Sequence, residues 1–341
     1  MAKAGNFYYD QLNKEQQNAY YAIKEGLLNL QDSFAVPRLT QKELSDIYFM
    51  IRMDSPAIFY SVTFSYRFYP DSTMVEMVPQ YLFTKDKIKE HRQAMESRVK
   101  KLARQAVNLD EKGKELFIHD FIVENVKYDK LKKAYSHEII GALGNGVAVC
   151  EGIAKAVKIL CDELNIWCII ALSEANPDKG IKYRHAWNVI RINGQYYHLD
   201  VTFDNTLSKD GTVRYDYVNL SDKQIFRDHE PVIWKVPACN DNDHFYYKEK
   251  KISWTTMEEV RNRTKQAVKK GKVLLFHWRG GYLTKEVLTQ LLEIFDEEAK
   301  VKEKWARVSV NWSQAVLRVR FEDSIGEEQI EMEEANEGEK N

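Results

Sequence analysis

Apolar residues recur at helical spacing in several long stretches of the chain. The first predicts a helix from about Lys14 to Asn29, and Asn13 followed three residues later by Gln16 resembles a capping box at its start. The same spacing predicts three further helices, over Lys85–Val107, Glu111–Asn125 and Glu151–Leu164. Helices therefore dominate the first half of the chain.

Strict alternation of apolar and polar residues predicts strands elsewhere. The run from Val62 to Phe68 alternates in this way, and a partner strand is expected near Met74–Tyr81. A further strand is expected near Trp167–Leu172. Two more strands flank Asn193-Gly194, the preferred pair for a two-residue type I′ turn, so this stretch is predicted to be a β-hairpin.

The C-terminal part of the chain shows a pattern of its own. From about Thr255 it predicts a helix, a strand, a second helix and two final strands that end at Phe321. We therefore expect an α+β protein with four parts. These are an N-terminal helix and strand region (1–110), a central domain (111–245), a small α+β module (246–321) and an acidic tail expected to be disordered (322–341).

Composition and charge narrow the possible functions. The 341 residues include 50 basic and 51 acidic ones, but the last twenty residues alone carry a charge of −8, which leaves +7 on the rest. That excess is spread over helices, so no nucleic-acid partner is expected. No apolar run is long enough for a membrane span or a signal peptide. Four irregularly spaced cysteines suggest free thiols, so we expect a cytoplasmic protein.

One of these cysteines occupies a chemically distinctive position. Cys150 lies between a glycine-containing loop ending at Gly146 and the helix predicted from Glu151. Unpaired N–H groups and the macrodipole at a helix N-terminus stabilise a thiolate, and the same N–H groups can hold an oxyanion. The alternative is a buried cysteine that packs as a small apolar residue.

The predicted hairpin brings a histidine and an aspartate together. With Ile192 paired to Gln195 across the turn, His185 would lie opposite Thr202 and diagonally from Asp200, within reach of its carboxylate. Such an aspartate can fix the tautomer of an imidazole and leave its other nitrogen facing a thiol.

This register leaves some alternatives open. His198 shares the face of Asp200 and could be the base instead, and a single β-bulge would change the pairing. A metal site built on Cys150 and these residues lacks any paired-ligand spacing, so neither a metal nor another cofactor is expected. The pattern thus predicts a Cys-His-Asp triad in which the histidine is not settled.

Three motifs together resemble a known family. They are Gly-x-x-x-Cys-Glu-Gly-x-Ala around Cys150, His185-Ala-Trp-Asn, and Tyr197-His-Leu-Asp-x-Thr-x-Asp around Asp200. Their order resembles the transglutaminase-like superfamily, in its bacterial transglutaminase/protease-like branch. The resemblance implies a papain-like core, in which a helix bearing the cysteine packs on an antiparallel sheet bearing the histidine and aspartate. It also implies Cys150 as nucleophile, His185 as general base and acid, and Asp200 as the orienting carboxylate.

This resemblance leads to a functional hypothesis and a rival. The hypothesis is thiol-dependent amide chemistry on a peptide or protein substrate, with a thioester that water or an amine resolves. Water would make the protein a cysteine protease or amidase, and an amine would make it an acyltransferase; we favour hydrolysis. The rival is a non-catalytic interaction module of the same fold, acting in a cell-wall or cell-division setting. The sequence gives no indication of the oligomeric state.

Overall fold

The computed structural model describes residues 4–208, 211–323 and 330–333. Its longer helices mostly begin at residues whose side chains cap the first turn. At the first helix, Asn13 and Gln16 form the predicted capping box through two reciprocal hydrogen bonds. The α-helices of the described residues are α1 (Lys14–Leu28), α2 (Gln41–Asp54), α3 (Lys85–Ala103), α4 (Glu111–Asn125), α5 (Cys150–Glu163), α6 (Val201–Leu207), α7 (Asp222–Ile225), α8 (Tyr246–Glu249), α9 (Met257–Lys270) and α10 (Lys285–Lys300).

The strands of the described residues form four sheets. They are β1 (Phe34–Pro37), β2 (Ser61–Arg67), β3 (Met74–Tyr81), β4 (Lys127–Tyr128), β5 (Val147–Ala148), β6 (Cys168–Ser173), β7 (His185–Ile192), β8 (Gln195–Leu199), β9 (Val218–Leu220), β10 (Ser253–Trp254), β11 (Leu274–Trp278), β12 (Trp305–Asn311), β13 (Val316–Glu322) and β14 (Ile330–Glu333). The strand orders are β1-β3-β2, β4-β5, β6-β7-β8-β9 and β10-β11-β13-β12-β14.

Helix α5 packs on the antiparallel sheet β6-β7-β8-β9. This helix and sheet together, called the central layer below, position the site. Cys161, near the end of α5, interacts with Cys168 at the start of β6, and Cys168 pairs with Ile190 of β7. Closer to the start of both elements, the Asn188 side-chain amide donates to the Ala154 carbonyl at 3.0 Å. Along both elements, the contact between Ala154 and Asn188 comes before the one that links Cys161 through Cys168 to Ile190. Helix α5 and strand β7 therefore run in the same direction.

The N-terminal region shares a hydrophobic core with this layer. One continuous cluster of buried residues extends from Tyr8 through α1, α2, α3 and α5 to Val218. The Tyr8 hydroxyl contacts the Ile170 carbonyl of β6, and the Tyr8 backbone N–H donates to the buried Asp54 carboxylate. The first 110 residues therefore contribute directly to the support of the central sheet, and α2, which the sequence analysis did not predict, is one of these supports.

The C-terminal module has its own core and is docked onto the central sheet. Its buried residues run from Trp254 to Val319 and form a second cluster. The turn between β12 and β13 reaches the central domain, where the Asn311 side-chain amide donates to Asp216 at 2.8 Å. The predicted domain bounds stay a prediction, but this contact shows that the module bears on the central domain.

The predicted acidic tail requires a correction. Residues 330–333 form strand β14, which pairs in parallel with β12, and Glu322 is the last residue of β13, so the expectation of disorder is wrong for these five residues. In the sequence, Ile330 and Met332 alternate with Glu331 and Glu333, which is the period-2 pattern of a strand. The rest of the tail beyond Asp323 lies outside the described residues. Among the helices that the structure describes, none combines the length and the hydropathy needed to cross a membrane.

Candidate active site

The predicted nucleophile and base lie at the same end of the central layer. Cys150 is the first residue of α5, and His185 is the first residue of β7. Because α5 and β7 run in the same direction and pack on each other, both side chains belong to the end at which these elements begin. Each residue is only 7% exposed.

Close packing fixes the chain at the start of α5. A side-chain carbon on Gly152 would lie 2.2 Å from the Ser136 carbonyl oxygen, so only glycine lets the 134–137 turn lie directly on the first turn of the helix. The same carbonyl accepts from the Val149 N–H at 3.0 Å. Val149 makes no side-chain cap hydrogen bond, so no cap side chain competes for the N–H groups of this first turn. The N-terminal end of the macrodipole therefore acts on Cys150.

The turn formed by residues 129–133 lies beside the start of helix α5. Asp129 follows β4, and its N–H donates to the Ala148 carbonyl at 2.9 Å. Its carboxylate accepts from the Leu131 and Lys133 N–H groups, both at 3.0 Å, and from the Ser136 hydroxyl at 2.5 Å. These bonds hold the turn in place, because an aspartate that accepts from backbone N–H groups two and four residues later stabilises a tight turn.

The structure brings His185 and Asp200 into direct contact. His185 Nε2 lies 2.6 Å from Asp200 Oδ2, which is a contact that the predicted triad requires. The predicted register is nevertheless wrong at this point, because the β7-β8 ladder ends at Asn188 and Leu199. Asp200 is instead the N-cap of α6, and its Oδ1 accepts from the Thr202 and Phe203 N–H groups at 2.9 and 3.1 Å.

This dual role explains why Thr202 does not lie opposite His185. The chain turns into α6 after Asp200, and Thr202 belongs to that helix. One carboxylate oxygen of Asp200 therefore holds the helix, and the other faces the imidazole. Burial alone would raise the pKa of Asp200, but the imidazoles of His185 and His229 outweigh it, and its pKa lies below its usual range. Asp200 is an anion at neutral pH.

His198, the alternative base, is held in a different network. The Trp187 indole N–H donates to His198 Nδ1 at 2.9 Å. An indole nitrogen can only donate, so Nδ1 is the acceptor, and the ring proton lies on Nε2, 2.8 Å from Asp222. Burial lowers the pKa of His198. Both nitrogens are engaged away from Asp200, which favours His185 as the base.

Sequence analysis missed a second histidine beside the aspartate. His229 Nε2 lies 2.8 Å from Asp200 Oδ2, the same oxygen that faces His185. Its other nitrogen, Nδ1, lies 2.8 Å from Asp228 Oδ1. His229 follows the short helix α7, more than forty residues beyond His185, and no periodic pattern links the two. The signal in the sequence was weak: His229 directly follows an acidic residue, Asp228, about thirty residues after the motif around Asp200.

A buried ion network lies next to Cys150, at the first turn of α5. Glu151, the residue after Cys150, pairs with Arg52 of α2 at 2.9 Å and with Lys155 at 2.8 Å. Glu138 pairs with the same two cations at 2.5 and 2.8 Å. Burial opposes the charge on Glu151, but the two cations dominate and hold its pKa well below its usual range. The network ties α2 to the start of α5.

Among the described residues, two groups of side chains have the composition of metal ligands, the first of them fully buried. They are His185, Asp200 and His229, and His198, Asp222 and Cys239. In the first group the carboxylate oxygen is 2.6 and 2.8 Å from the imidazole nitrogens, whereas two ligands of a tetrahedral zinc ion lie about 3.3 Å apart. In the second, His198 Nε2 carries a proton. We assign a metal role to neither group, and the expected absence of a metal or other cofactor stays a prediction.

Comparisons with known proteins bear on the same segment. Residues 100–201 match the model of the transglutaminase-like superfamily, and this stretch contains all three predicted site residues. Among solved structures, the chain is similar to a candidate cysteine protease from Cytophaga hutchinsonii, with 17% identity and a TM-score of 0.27 over 41% of this chain and 61% of that one. It is also similar to a TGase, with 10% identity and a TM-score of 0.27 over 58% of each chain.

The chain thus spans about three fifths of the length of each of these two proteins. No curated protein matches it. The predicted α+β fold with a papain-like core is confirmed, since α5 packs on an antiparallel sheet that carries His185 and leads into Asp200. Residues 100–201 of this chain are therefore similar to the transglutaminase-like superfamily.

Proposed function

We propose that this protein is an enzyme that breaks amide bonds of a peptide or protein through a Cys150 thiolate. The observation that carries the proposal is the bond of 2.6 Å between His185 Nε2 and Asp200, formed at the end of the layer where Cys150 begins α5. With Nε2 held by an anionic carboxylate, we assign to Nδ1 the exchange of a proton with the thiol.

The proposed reaction has two steps that share one histidine. In the first, the Cys150 sulfur adds to the amide carbonyl carbon, and the N–H groups at the start of α5 stabilise the oxyanion. His185, which has taken the thiol proton, then gives it to the departing amine, the C–N bond breaks, and a thioester remains. In the second step His185 removes a proton from the acceptor, which attacks the thioester and restores the thiol.

The acceptor decides between hydrolysis and acyl transfer. Water gives a carboxylic acid, and a second amine gives a new amide. Two segments border the site, because the Asp129–Lys133 turn lies beside the start of α5 and Tyr183-Arg184 leads into His185. The Lys132 ammonium lies 3.2 Å from the centre of the Tyr183 ring, so the two segments touch each other. We propose water as the acceptor, in line with the protease-like branch that the motifs resemble.

Product analysis on a peptide mixture tests this function. The full chain is incubated with casein peptides and with monodansylcadaverine, and mass spectrometry records cleavage, deamidation and amine incorporation. We expect cleavage or deamidation that iodoacetamide pretreatment removes. Dominant amine incorporation would replace the hydrolytic proposal with acyl transfer. Absence of all three products, together with a Cys150 no more reactive than Cys161 or Cys168, would contradict the enzymatic proposal and leave the interaction module.

A further inference from the structure

The second histidine at Asp200 has a protonation state that its geometry dictates. Its two ring nitrogens each lie 2.8 Å from a carboxylate oxygen, one of Asp200 and one of Asp228. An ionised carboxylate can only accept a hydrogen bond, so both nitrogens of His229 must donate. His229 is therefore an imidazolium, and it is buried, with a side chain only 1% exposed.

Side chains from several elements surround this imidazolium. The rings of Trp187 and His185 on β7, Phe203 on α6 and Tyr217 before β9 lie 4.5–5.8 Å from its ring, between centres. Of these, His185 and Tyr217 titrate, and His198 of β8 is the next titratable group that senses its charge. Its anionic contacts are Asp200 and Asp228.

Asp228 is itself held from two directions. Its Oδ2 accepts from the Tyr217 hydroxyl at 2.6 Å and from the Gln314 side-chain amide of the C-terminal module at 3.3 Å. A continuous set of hydrogen bonds thus runs from Gln314 through Asp228, His229 and Asp200 to His185. Although burial opposes the charge on His229, the two carboxylates prevail and raise its pKa.

The charges of this set determine what His185 experiences. Two carboxylates and one imidazolium leave a net charge of −1 beside His185. Without the imidazolium, two negative charges would face it, and its protonated form would be favoured over a wider pH range. Without the hydrogen bond from His229 Nε2, Asp200 Oδ2 would keep only its hydrogen bond with His185 Nε2.

We propose that His229 is a positioning residue for the reaction: it anchors Asp200 and offsets one carboxylate charge, so that His185 can release its proton near neutral pH. This inference rests on the proposed function, because it concerns the same Asp200 and His185. It also gives the C-terminal module a part in the site, since Gln314 supports the carboxylate that His229 requires.

The test is the titration of His185 by NMR in protein labelled with 15N-histidine. His229→Gln keeps an N–H donor for Asp200 but removes the positive charge. Loss of a nearby positive charge favours imidazolium, so we expect the His185 titration midpoint to rise by about one pH unit. His198→Asn is the matched control, because His198 is equally buried and its side chain contacts Trp187 and Asp222, not Asp200. That variant should leave the midpoint unchanged.

A second measurement needs no variant at His229. In the wild-type protein, the His229 ring is assigned through its contact with the Tyr217 ring, and both of its nitrogens should carry protons at pH 7. A His229 with one bare nitrogen, or an unchanged His185 midpoint in His229→Gln, would overturn the inference. Either result would leave the proposed function intact. The proposed function fails separately if Cys150 is equally reactive in the wild type and in His185→Ala.

Discussion

Replacing Cys150 with alanine is expected to lower the turnover of any amide substrate by at least about 10⁴-fold. The thiolate forms the covalent bond of the proposed reaction, and no other described side chain at this end of α5 is a candidate for that role. The remaining activity would come from binding and from the N–H groups at the start of the helix. The measurement is the rate of peptide cleavage or ammonia release at saturating substrate.

Cys161→Ala is the matched control for this variant. Cys161 lies on the same helix but is fully buried, and burial raises the pKa of its thiol well above the usual value. It interacts with Cys168 in the core. Its removal should reduce stability and leave turnover per folded molecule unchanged. Equal losses of turnover in the two variants would mean that Cys150 acts through the packing of α5 and not as the nucleophile.

Replacing Arg52 with alanine is expected to destabilise the protein by about 3–5 kcal/mol. The change would leave two buried carboxylates, Glu138 and Glu151, with Lys155 as their remaining cation in the network. Removing one partner of a buried ion network leaves an uncompensated charge, which costs far more than an exposed ion pair contributes. Urea-induced unfolding measures the loss of free energy directly.

The control for Arg52→Ala is Lys42→Ala on the same helix. Lys42 pairs with Asp46 at 2.6 Å, but its side chain is 84% exposed. Solvent screens such a pair, so the free energy of unfolding should stay at the wild-type value within error. If the two variants behaved alike, the buried network would have no special part in holding α2 against the start of α5.

Much of the site could be predicted from local patterns. A cysteine before a helical stretch made Cys150 a candidate, and its predicted place at a helix start is confirmed, since helix starts follow from spacing along the chain. The Asn193-Gly194 turn fixed the pairing of Ile192 with Gln195, which the structure has. Counting outward from this turn brought His185 near Asp200, because the register of a hairpin depends on its turn.

The rest depends on tertiary structure that no local pattern encodes. Asp200 leaves the ladder to cap α6, so its contact with His185 arises at the end of the sheet and not across it. His229 approaches the same carboxylate from a segment that follows α7. Arg52 comes from α2, about a hundred residues before Cys150 in the chain. Contacts between such distant segments are set by how the elements pack.

The pH dependence of Cys150 alkylation tests the central claim most directly. Iodoacetamide is reacted with the wild type and with His185→Ala between pH 5 and pH 9, and mass spectrometry quantifies each cysteine, with buried Cys161 and Cys168 as internal references. We expect Cys150 to react well below the pKa of about 8.5 of a free thiol, and His185→Ala to abolish this behaviour. A Cys150 that titrates as an ordinary thiol, or that is inert, would contradict the proposed nucleophile.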